Sequence, residues 1–368
     1  MATYIGVMSG TSLDGVDVAI VDIKQASSCT VIAAETFDFP ASLHLLLQRL
    51  VVDGHCHLKD FGALDVALGQ FIGHAINNLL SRNALQSADI IAIGNHGHTV
   101  YHSPEGELPF SLQIGDANVI AELTQITTVA DFRQRDIAAS GQGAPLVPAF
   151  HQAVFSTPEK SHVILNIGGI ANVTLLDRNQ AVIGFDTGPG NGLMDAWIQR
   201  HLGQPYDQQG NWAASGQSNI ALLNQMLADP YFSKAIPKST GREYFNLGWL
   251  QQQLDHHGES VDIVDVQATL MSLTVKTIID AMTLFAPKAS GVYVCGGGVH
   301  NHQLMQVLQT QISEATVSSS ADLGIDPDWV EAAAFAWLAY RTVHQQTGNL
   351  PSITGADHAV ILGGVYSA

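Results

Sequence analysis

Asp186 is the residue whose setting most invites chemistry. The apolar run 181–185 reads as a strand, and the carboxylate is followed by Thr187-Gly188-Pro189-Gly190-Asn191-Gly192, a stretch with little bulk to crowd a ligand. Strand ends that open into such loops are where α/β enzymes commonly hold catalytic groups, and an ionised carboxylate is the right type for a general base. The same aspartate could equally cap the helix that starts at Leu193 or hold its turn.

A second chemical feature lies near the N-terminus, where residues 4–22 read YIGVMSGTSLDGVDVAIVD. Two β-prone runs, 4–8 and 16–21, flank a turn of Ser9, Gly10, Thr11, Ser12, Leu13, Asp14 and Gly15. Small and hydroxylated residues let backbone N–H groups close on an anion without a lysine, so the turn could cradle a phosphate. An ordinary β-hairpin is the alternative for this segment alone. The pattern recurs in residues 162–176, HVILNIGGIANVTLL, with Gly168-Gly169 at the bend. Residues 291–308 add a strand that enters Gly296-Gly297-Gly298 and then a helix. Two hairpins and one strand-glycine-helix unit suggest duplicated domains with a nucleotide between them.

Histidines and arginines supply the remaining polar candidates. A short strand at 90–93 runs into Gly94-Asn95-His96-Gly97-His98, with His102 beyond. Alternate strand positions share a face, which raises zinc, but no cysteine or carboxylate cluster accompanies the imidazoles. Hydrogen bonding to a polar substrate suits Asn95, His96 and His98 better, and stabilising a loop is the plainer reading. Arg133 and Arg135 stand in one short loop of a chain poor in basic residues, where they could fork around a carboxylate or pair with Asp131 and Asp136. Glu331, three residues after Asp328, matches the spacing of a capping box.

The elements that must carry these residues follow from periodicity. Residues 30–39 read as a strand and 42–50 as a short helix; 58–80 has apolar residues at three and four, as in a long amphipathic helix. A strand at 110–114 leads to Asp116, a helix cap by type. Residues 206–245 are irregular and polar and could cover a substrate; 264–285 reads as a buried helix and 328–344 as another. The final run 359–365 could return to the first domain. The Gly/Pro loop near 131–148 marks the expected boundary, giving one domain of 1–130 plus about 350–368 and a second of 131–349.

With 368 residues and 46% apolar content, the chain can bury two cores. The formal charge of −18 repels nucleic acid and anionic lipid, so neither is an expected partner. Cys29, Cys56 and Cys295 are scattered and odd in number, which argues against disulfides and thiolate zinc. No signal peptide and no run of about 18 or more apolar residues is evident, so a cytoplasmic protein without a membrane helix is expected.

No Walker A sequence, nucleophile elbow or dinucleotide fingerprint is present. Glycine hairpins, a glycine loop and a strand-end aspartate nevertheless suffice in kind for phosphoryl transfer, which demands positioning and charge stabilisation more than a nucleophile. The series Met8-Ser-Gly-Thr-Ser-Leu-Asp-Gly-Val-Asp17, Gln113-Ile-Gly-Asp116, Asp131-Phe-Arg133, Gly141-Gln-Gly-Ala-Pro145, Asn166-Ile-Gly-Gly-Ile-Ala-Asn172, Phe185-Asp-Thr-Gly-Pro-Gly-Asn191 and Cys295-Gly-Gly-Gly298 resembles the motifs of the anhydro-N-acetylmuramic acid kinases, over nearly the whole chain.

The resemblance implies an α/β fold of the two-domain actin/hexokinase/Hsp70-like (ribonuclease H-like) class, with an interdomain active-site cleft, and a homodimer. It also implies hydrolytic opening of the anhydro sugar coupled to phosphorylation of its 6-oxygen by ATP, in peptidoglycan recycling. Asp186 would be the base. Ser9, Gly10, Thr11, Ser12, Leu13, Asp14, Gly15, Val16 and Asp17 would cradle phosphates, with Asp14 or Asp17 helping to hold Mg2+. Gly168 and Gly169 would face the phosphates from the other domain, and Gly296, Gly297 and Gly298 would approach the adenosine. His98, Asp116, Arg133, Asp186 and Glu331 would hold the sugar.

Overall fold

The N-terminal repeat of apolar and small residues folds as β1 (Thr3–Ser9) antiparallel to β2 (Gly15–Gln25), with Met8 opposite Asp17. The computed structural model describes residues 2–10, 13, 15–157, 160–177 and 180–368, with the backbone alone at 52 and 53. β3 (Ser28–Asp38) continues the sheet beyond β2, while β4 (Ile90–Ser103) lies parallel to β1 on its other side. β5 (Phe110–Ile114) pairs antiparallel with β4, and β6 (Thr128–Ala130) pairs parallel with it. Every residue of β1 is buried, as a central strand covered on both faces requires.

The helix Leu58–Arg82 covers one face through Leu64, Leu68, Ile72, Ala75, Ile76 and Leu79, the three-and-four spacing legible in the sequence. Each leucine or isoleucine among them, once buried, contributes about 1.5–3 kcal/mol relative to exposure. Two stretches differ from expectation. β4 does not stop at Ile93 but runs on through His96, His98 and His102, because its neighbours β1 and β5 supply partners for the glycine-histidine stretch. Residues 132–138, expected as loop, form the helix Phe132–Ala138 behind Asp131, whose φ is +58°.

In the second unit β7 (His162–Ile167), β8 (Ile170–Leu176) and β9 (Ile183–Pro189) form an antiparallel meander. β10 (Gly291–Cys295) lies parallel to β7 and β11 (Thr316–Ser319) parallel to β10. The order β11-β10-β7-β8-β9 repeats, strand for strand and in direction, the order β6-β4-β1-β2-β3 of the first sheet. The duplication inferred from the glycine hairpins is therefore a duplication of topology. The helix Ile263–Phe285 is long and apolar enough to cross a membrane, yet it is mostly buried, and Val275, Ile278 and Met282 join the core of this unit. Segment 206–245, expected as irregular, includes the helices Asn211–Ser215 and Ile220–Leu227.

The chain then returns to the first unit with the helix Val330–Val343 and β12 (Gly364–Tyr366), which pairs antiparallel with β6. A Cβ at Gly6 would stand 2.7 Å from the Ala336 backbone nitrogen, and one at Gly94 would stand 2.7 Å from the Phe335 carbonyl carbon. Glycine on β1 and β4 thus lets helix backbone lie directly on the sheet. The compact units are Met1–Phe155 with Trp329–Ala368, and Ser156–Asp328. They divide later than position 130 and earlier than position 350 because the helix Val147–Phe155 packs on the returning helix, with Phe150 and Trp337 ring centroids 6.1 Å apart.

Three imidazoles of the first unit are held neutral by burial. His96 is pushed well below its ordinary pKa by desolvation and by the Arg133 charge; His102 is lowered to about 4 and His151 to about 3, desolvation leading in each case. Because the folded values lie below the unfolded one, the unfolded chain takes up protons first as pH falls below about 6.5. Stability is full above that pH and declines towards the folded values. For His151, 1% exposed, the loss at pH 5 is about 2 kcal/mol. Urea unfolding of wild type and His151→Phe at pH 7 and pH 5 checks this: the wild type is expected to lose more stability on acidification than the variant, and equal losses contradict it.

Candidate active site

In the first unit, β1 delivers Ser9 and β4 delivers His98 to neighbouring register positions. Ser9 Oγ donates to the Gly15 carbonyl (3.1 Å) and lies 3.1 Å from His98 Nδ1. With its one proton given to the carbonyl, the hydroxyl accepts from Nδ1–H, which in the neutral imidazole makes Nε2 the acceptor. Within the turn, Leu13 adopts φ +62°, turns its N–H towards the Gly10 carbonyl (3.3 Å) and joins the core. Val16 is also core, so only the backbone of these two can face a ligand. Asp17 accepts from Thr36 Oγ1 at 2.6 Å. Thr11, Ser12 and Asp14 lie outside the described residues.

Arg133 sits on the helix Phe132–Ala138 and is aimed by two acceptors. Its Nη2 and Nε reach His96 Nε2 at 2.9 and 3.2 Å, and its Nη1 donates to the Gly143 carbonyl at 2.7 Å. His96 Nδ1–H donates to the Gly97 carbonyl (2.9 Å), which fixes the tautomer that lets Nε2 accept. Gly143 is in turn held by Asp136, a fully buried carboxylate that also accepts from Asn349 Nδ2 and Thr354 Oγ1, each at 2.7 Å. Asp131 accepts from the Tyr366 hydroxyl at 2.6 Å. The aspartates that flank the arginine in sequence therefore serve the loop and the C-terminal segment.

Asp116 is the expected helix cap, with Oδ1 accepting from Asn118 N–H at 2.8 Å. Beside it Asp65, which sequence reasoning missed, accepts from Gly115 N–H; burial first, then the charges of Asp116 and Asp131, raise its pKa. Asn95 is committed to backbone at Gly97 and Gly115. His102 contacts Ser111 Oγ at 2.9 Å, and no group of His, Cys, Asp and Glu suited to a metal occurs among the described residues. Glu331 lies in the first turn of the helix Val330–Val343. Its capping-box reading fails, since Trp329 is the N-cap without a side-chain bond and Asp328 instead meets His300 Nε2 at 2.8 Å.

In the second unit, Asp186 lies within β9, which continues to Pro189, and not at a strand end. Asn191 occupies the helix cap, so Asp186 does not cap Gly192–Leu202. The aspartate is 9% exposed and gripped from segment 229–240. Its N–H donates to the Lys238 carbonyl (3.1 Å), its carbonyl accepts from the Tyr231 hydroxyl (2.7 Å), and its Oδ2 accepts from Thr240 N–H (2.9 Å). Lys238 Nζ locks that segment by donating to the Tyr231 and Phe232 carbonyls, 4.7 Å above the Tyr231 ring. Burial lowers the Lys238 pKa and the Lys234 charge adds to this, while Asp186 opposes them.

The Gly168-Gly169 bend is zipped to residues 190–192: Asn191 N–H donates to Gly168 O (2.8 Å), and Gly190 and Gly192 N–H donate to Gly169 O (3.0 Å each). A Cβ at Gly168 would meet only the Ile170 carbonyl at 3.7 Å, so the bend is open on that side. Gly296, at φ +77°, packs on Asn166, and Gly298 packs on Ile167; Gly297 alone is exposed, with nothing nearer to a Cβ than Asn191 Nδ2 at 3.9 Å. Two of these three glycines are thus required by β7, and the middle one leaves surface for a ligand.

Chemically, the second unit presents a clamped carboxylate and two glycine bends, and the first presents a glycine turn, a buried imidazole and an aimed guanidinium. Residues 2–368 match the profile of a family described as anhydro-N-acetylmuramic acid kinase. The chain is 50% identical over 368 residues to the anhydro-N-acetylmuramic acid kinase of Shewanella sp. (strain ANA-3), covering 100% of this chain and 99% of the relative. It is 49% identical over 364 residues to the protein of the same description from Pasteurella multocida (strain Pm70), covering 99% and 96%. Among solved structures, component A of the (R)-2-hydroxyglutaryl-CoA dehydratase of Acidaminococcus fermentans aligns with a TM-score of 0.50 at 11% identity, covering 94% of this chain and 100% of that one. The fold is the actin/hexokinase-like ATPase fold.

Proposed function

This chain belongs to the anhydro-N-acetylmuramic acid kinase family, and we propose that Asp186 starts its reaction by taking a proton from water. The activity is that of an anhydro-N-acetylmuramic acid kinase of peptidoglycan recycling: water and ATP convert the anhydro sugar to N-acetylmuramic acid 6-phosphate and ADP. The observation that carries the chemical assignment is the grip on Asp186, whose backbone is fixed by Tyr231 and Lys238 and whose carboxylate Oδ2 accepts from Thr240 N–H.

Water attacks the anomeric carbon as Asp186 accepts its proton, and the bond from that carbon to the bridging 6-oxygen breaks. The released 6-oxygen attacks the γ-phosphorus, and ADP leaves. A glycosidase protonates its leaving oxygen with a second carboxylic acid. Here phosphorylation takes that role, so one base suffices.

In the first unit, the turn that joins β1 to β2, bounded by Ser9 and Asp17, cradles the phosphates. His98 Nε2 and the Asp116 and Glu331 carboxylates accept sugar hydroxyls, and Arg133, held by His96 and Gly143, pairs with the lactyl carboxylate. In the second, Gly168 and Gly169 face the phosphates, and Gly297, flanked by Gly296 and Gly298, approaches the adenosine. Mg2+ takes one or two carboxylates besides phosphate oxygens and water, and Asp17, partly exposed after the turn, fits as one of them. When bound, the ion neutralises charge on the β- and γ-phosphates. A cytoplasmic homodimer is the assembly this reading expects, with Cys29, Cys56 and Cys295 as free thiols.

The test is product mass after incubation with the anhydro sugar, ATP and magnesium. A product heavier by one phosphoryl group (HPO3) and one water supports coupled opening; one heavier by the phosphoryl group alone identifies a conventional sugar kinase. Arg133→Met is expected to raise the sugar KM roughly 10- to 100-fold, the worth of one charge-assisted pair, with the ATP KM nearly unchanged. An unchanged sugar KM removes Arg133 from the carboxylate site.

A further inference from the structure

Resting on the reading of Asp186 as the base, we propose that Thr240 is a further catalytic residue whose hydroxyl holds the attacking water beside the Asp186 carboxylate. Thr240 Oγ1 is buried and has no hydrogen-bond partner among the described residues. A buried hydroxyl left unpaired costs free energy, and in native structures such a group calls for an explanation. This one belongs to the residue whose own N–H is fixed to Asp186 Oδ2 at 2.9 Å.

The position of that hydroxyl is not left to a mobile loop. Two residues back, the Lys238 carbonyl accepts from Asp186 N–H, and the Lys238 ammonium is tied to the Tyr231 and Phe232 carbonyls. Tyr231, buried and hydrogen-bonded to the Asp186 carbonyl, closes the circuit. A threonine hydroxyl has one proton to give and two lone pairs to offer, while an ionised carboxylate only accepts. Water placed between them donates one proton to Asp186 and uses Thr240 Oγ1 for a second hydrogen bond, which leaves an oxygen lone pair directed at the electrophile. Attack then transfers the donated proton to Asp186, with no other change at Thr240.

Thr240→Val keeps the shape and the backbone N–H while it removes the hydroxyl. The expected result is a kcat lower by roughly 10- to 100-fold, as loss of one positioning contact entails, with the KM values for sugar and ATP within about threefold of wild type. Thr240→Ser is expected to restore most of the rate. Removal of an unpaired buried hydroxyl is also expected to leave the thermal midpoint unchanged or raise it, the reverse of what a structural hydroxyl would do. Wild-type kcat in a folded Thr240→Val, or a Thr240→Ser as slow as Thr240→Val, overturns the proposal. A Thr240→Val that unfolds also overturns it, since the hydroxyl would then be structural. Asp186→Asn is measured alongside: full activity there defeats the reading of Asp186 itself, whereas an inactive Asp186→Asn with a fast Thr240→Val defeats only this inference.

Discussion

Asp186→Asn is expected to lower kcat by about 10³-fold or more without loss of the fold. General bases contribute roughly 10²–10⁴-fold, and here the base opens the reaction, so the upper half of that range applies. The substitution is close to isosteric. Its amide oxygen still accepts from Thr240 N–H, and the backbone bonds to Lys238 and Tyr231 are untouched. What disappears is the negative charge and the basic lone pair. ADP release with the anhydro sugar, together with circular dichroism of the variant, measures both halves of the expectation. A folded variant with a kcat within tenfold of wild type would remove Asp186 from the base role.

The second large effect is on folding. Gly6→Ala is expected to destabilise the first unit by about 3 kcal/mol, the upper end for overpacking, because what the new methyl meets is backbone. It would press on the Ala332 carbonyl and stand 2.7 Å from the Ala336 nitrogen, neither of which can rotate away. The helix Val330–Val343 must lift from β1, carrying Glu331 with it. Gly62→Ala is the control, since that exposed position in Leu58–Arg82 has nothing within 4 Å of a new Cβ. It should gain up to about 1 kcal/mol from helix propensity. Chemical denaturation of the two variants decides the matter: equal midpoints would mean that the helix does not press on Gly6 as described.

Much of the fold is legible because its signals are local. Alternating runs around glycine bends marked β1, β2, β7 and β8, and three-and-four spacing marked Leu58–Arg82. The helix around Arg133 was not legible, since its seven residues hold two arginines, a glutamine and an aspartate and are too few to show an apolar stripe. Capping-box spacing offered Glu331 a purely structural role that the fold does not give it, since Asp328 answers to His300, 28 residues away. His96 suggested a metal or a sugar ligand, yet its acceptor nitrogen serves Arg133, 37 residues distant. Asp186 stood out by its glycine-rich surroundings. Thr240, Lys238 and Tyr231 did not, because they lie 54, 52 and 45 positions further on in a polar segment whose contacts with β9 leave no period in the sequence.

The most direct test of the coupled reaction is to run it in heavy-oxygen water and locate the label by fragment mass spectrometry. Label on the anomeric carbon of the 6-phosphorylated product is the expected result, because water attacks there while the original bridging oxygen receives the phosphoryl group. Label in the phosphate, with none at the anomeric carbon, would contradict the mechanism: water would have met the nucleotide and not the sugar.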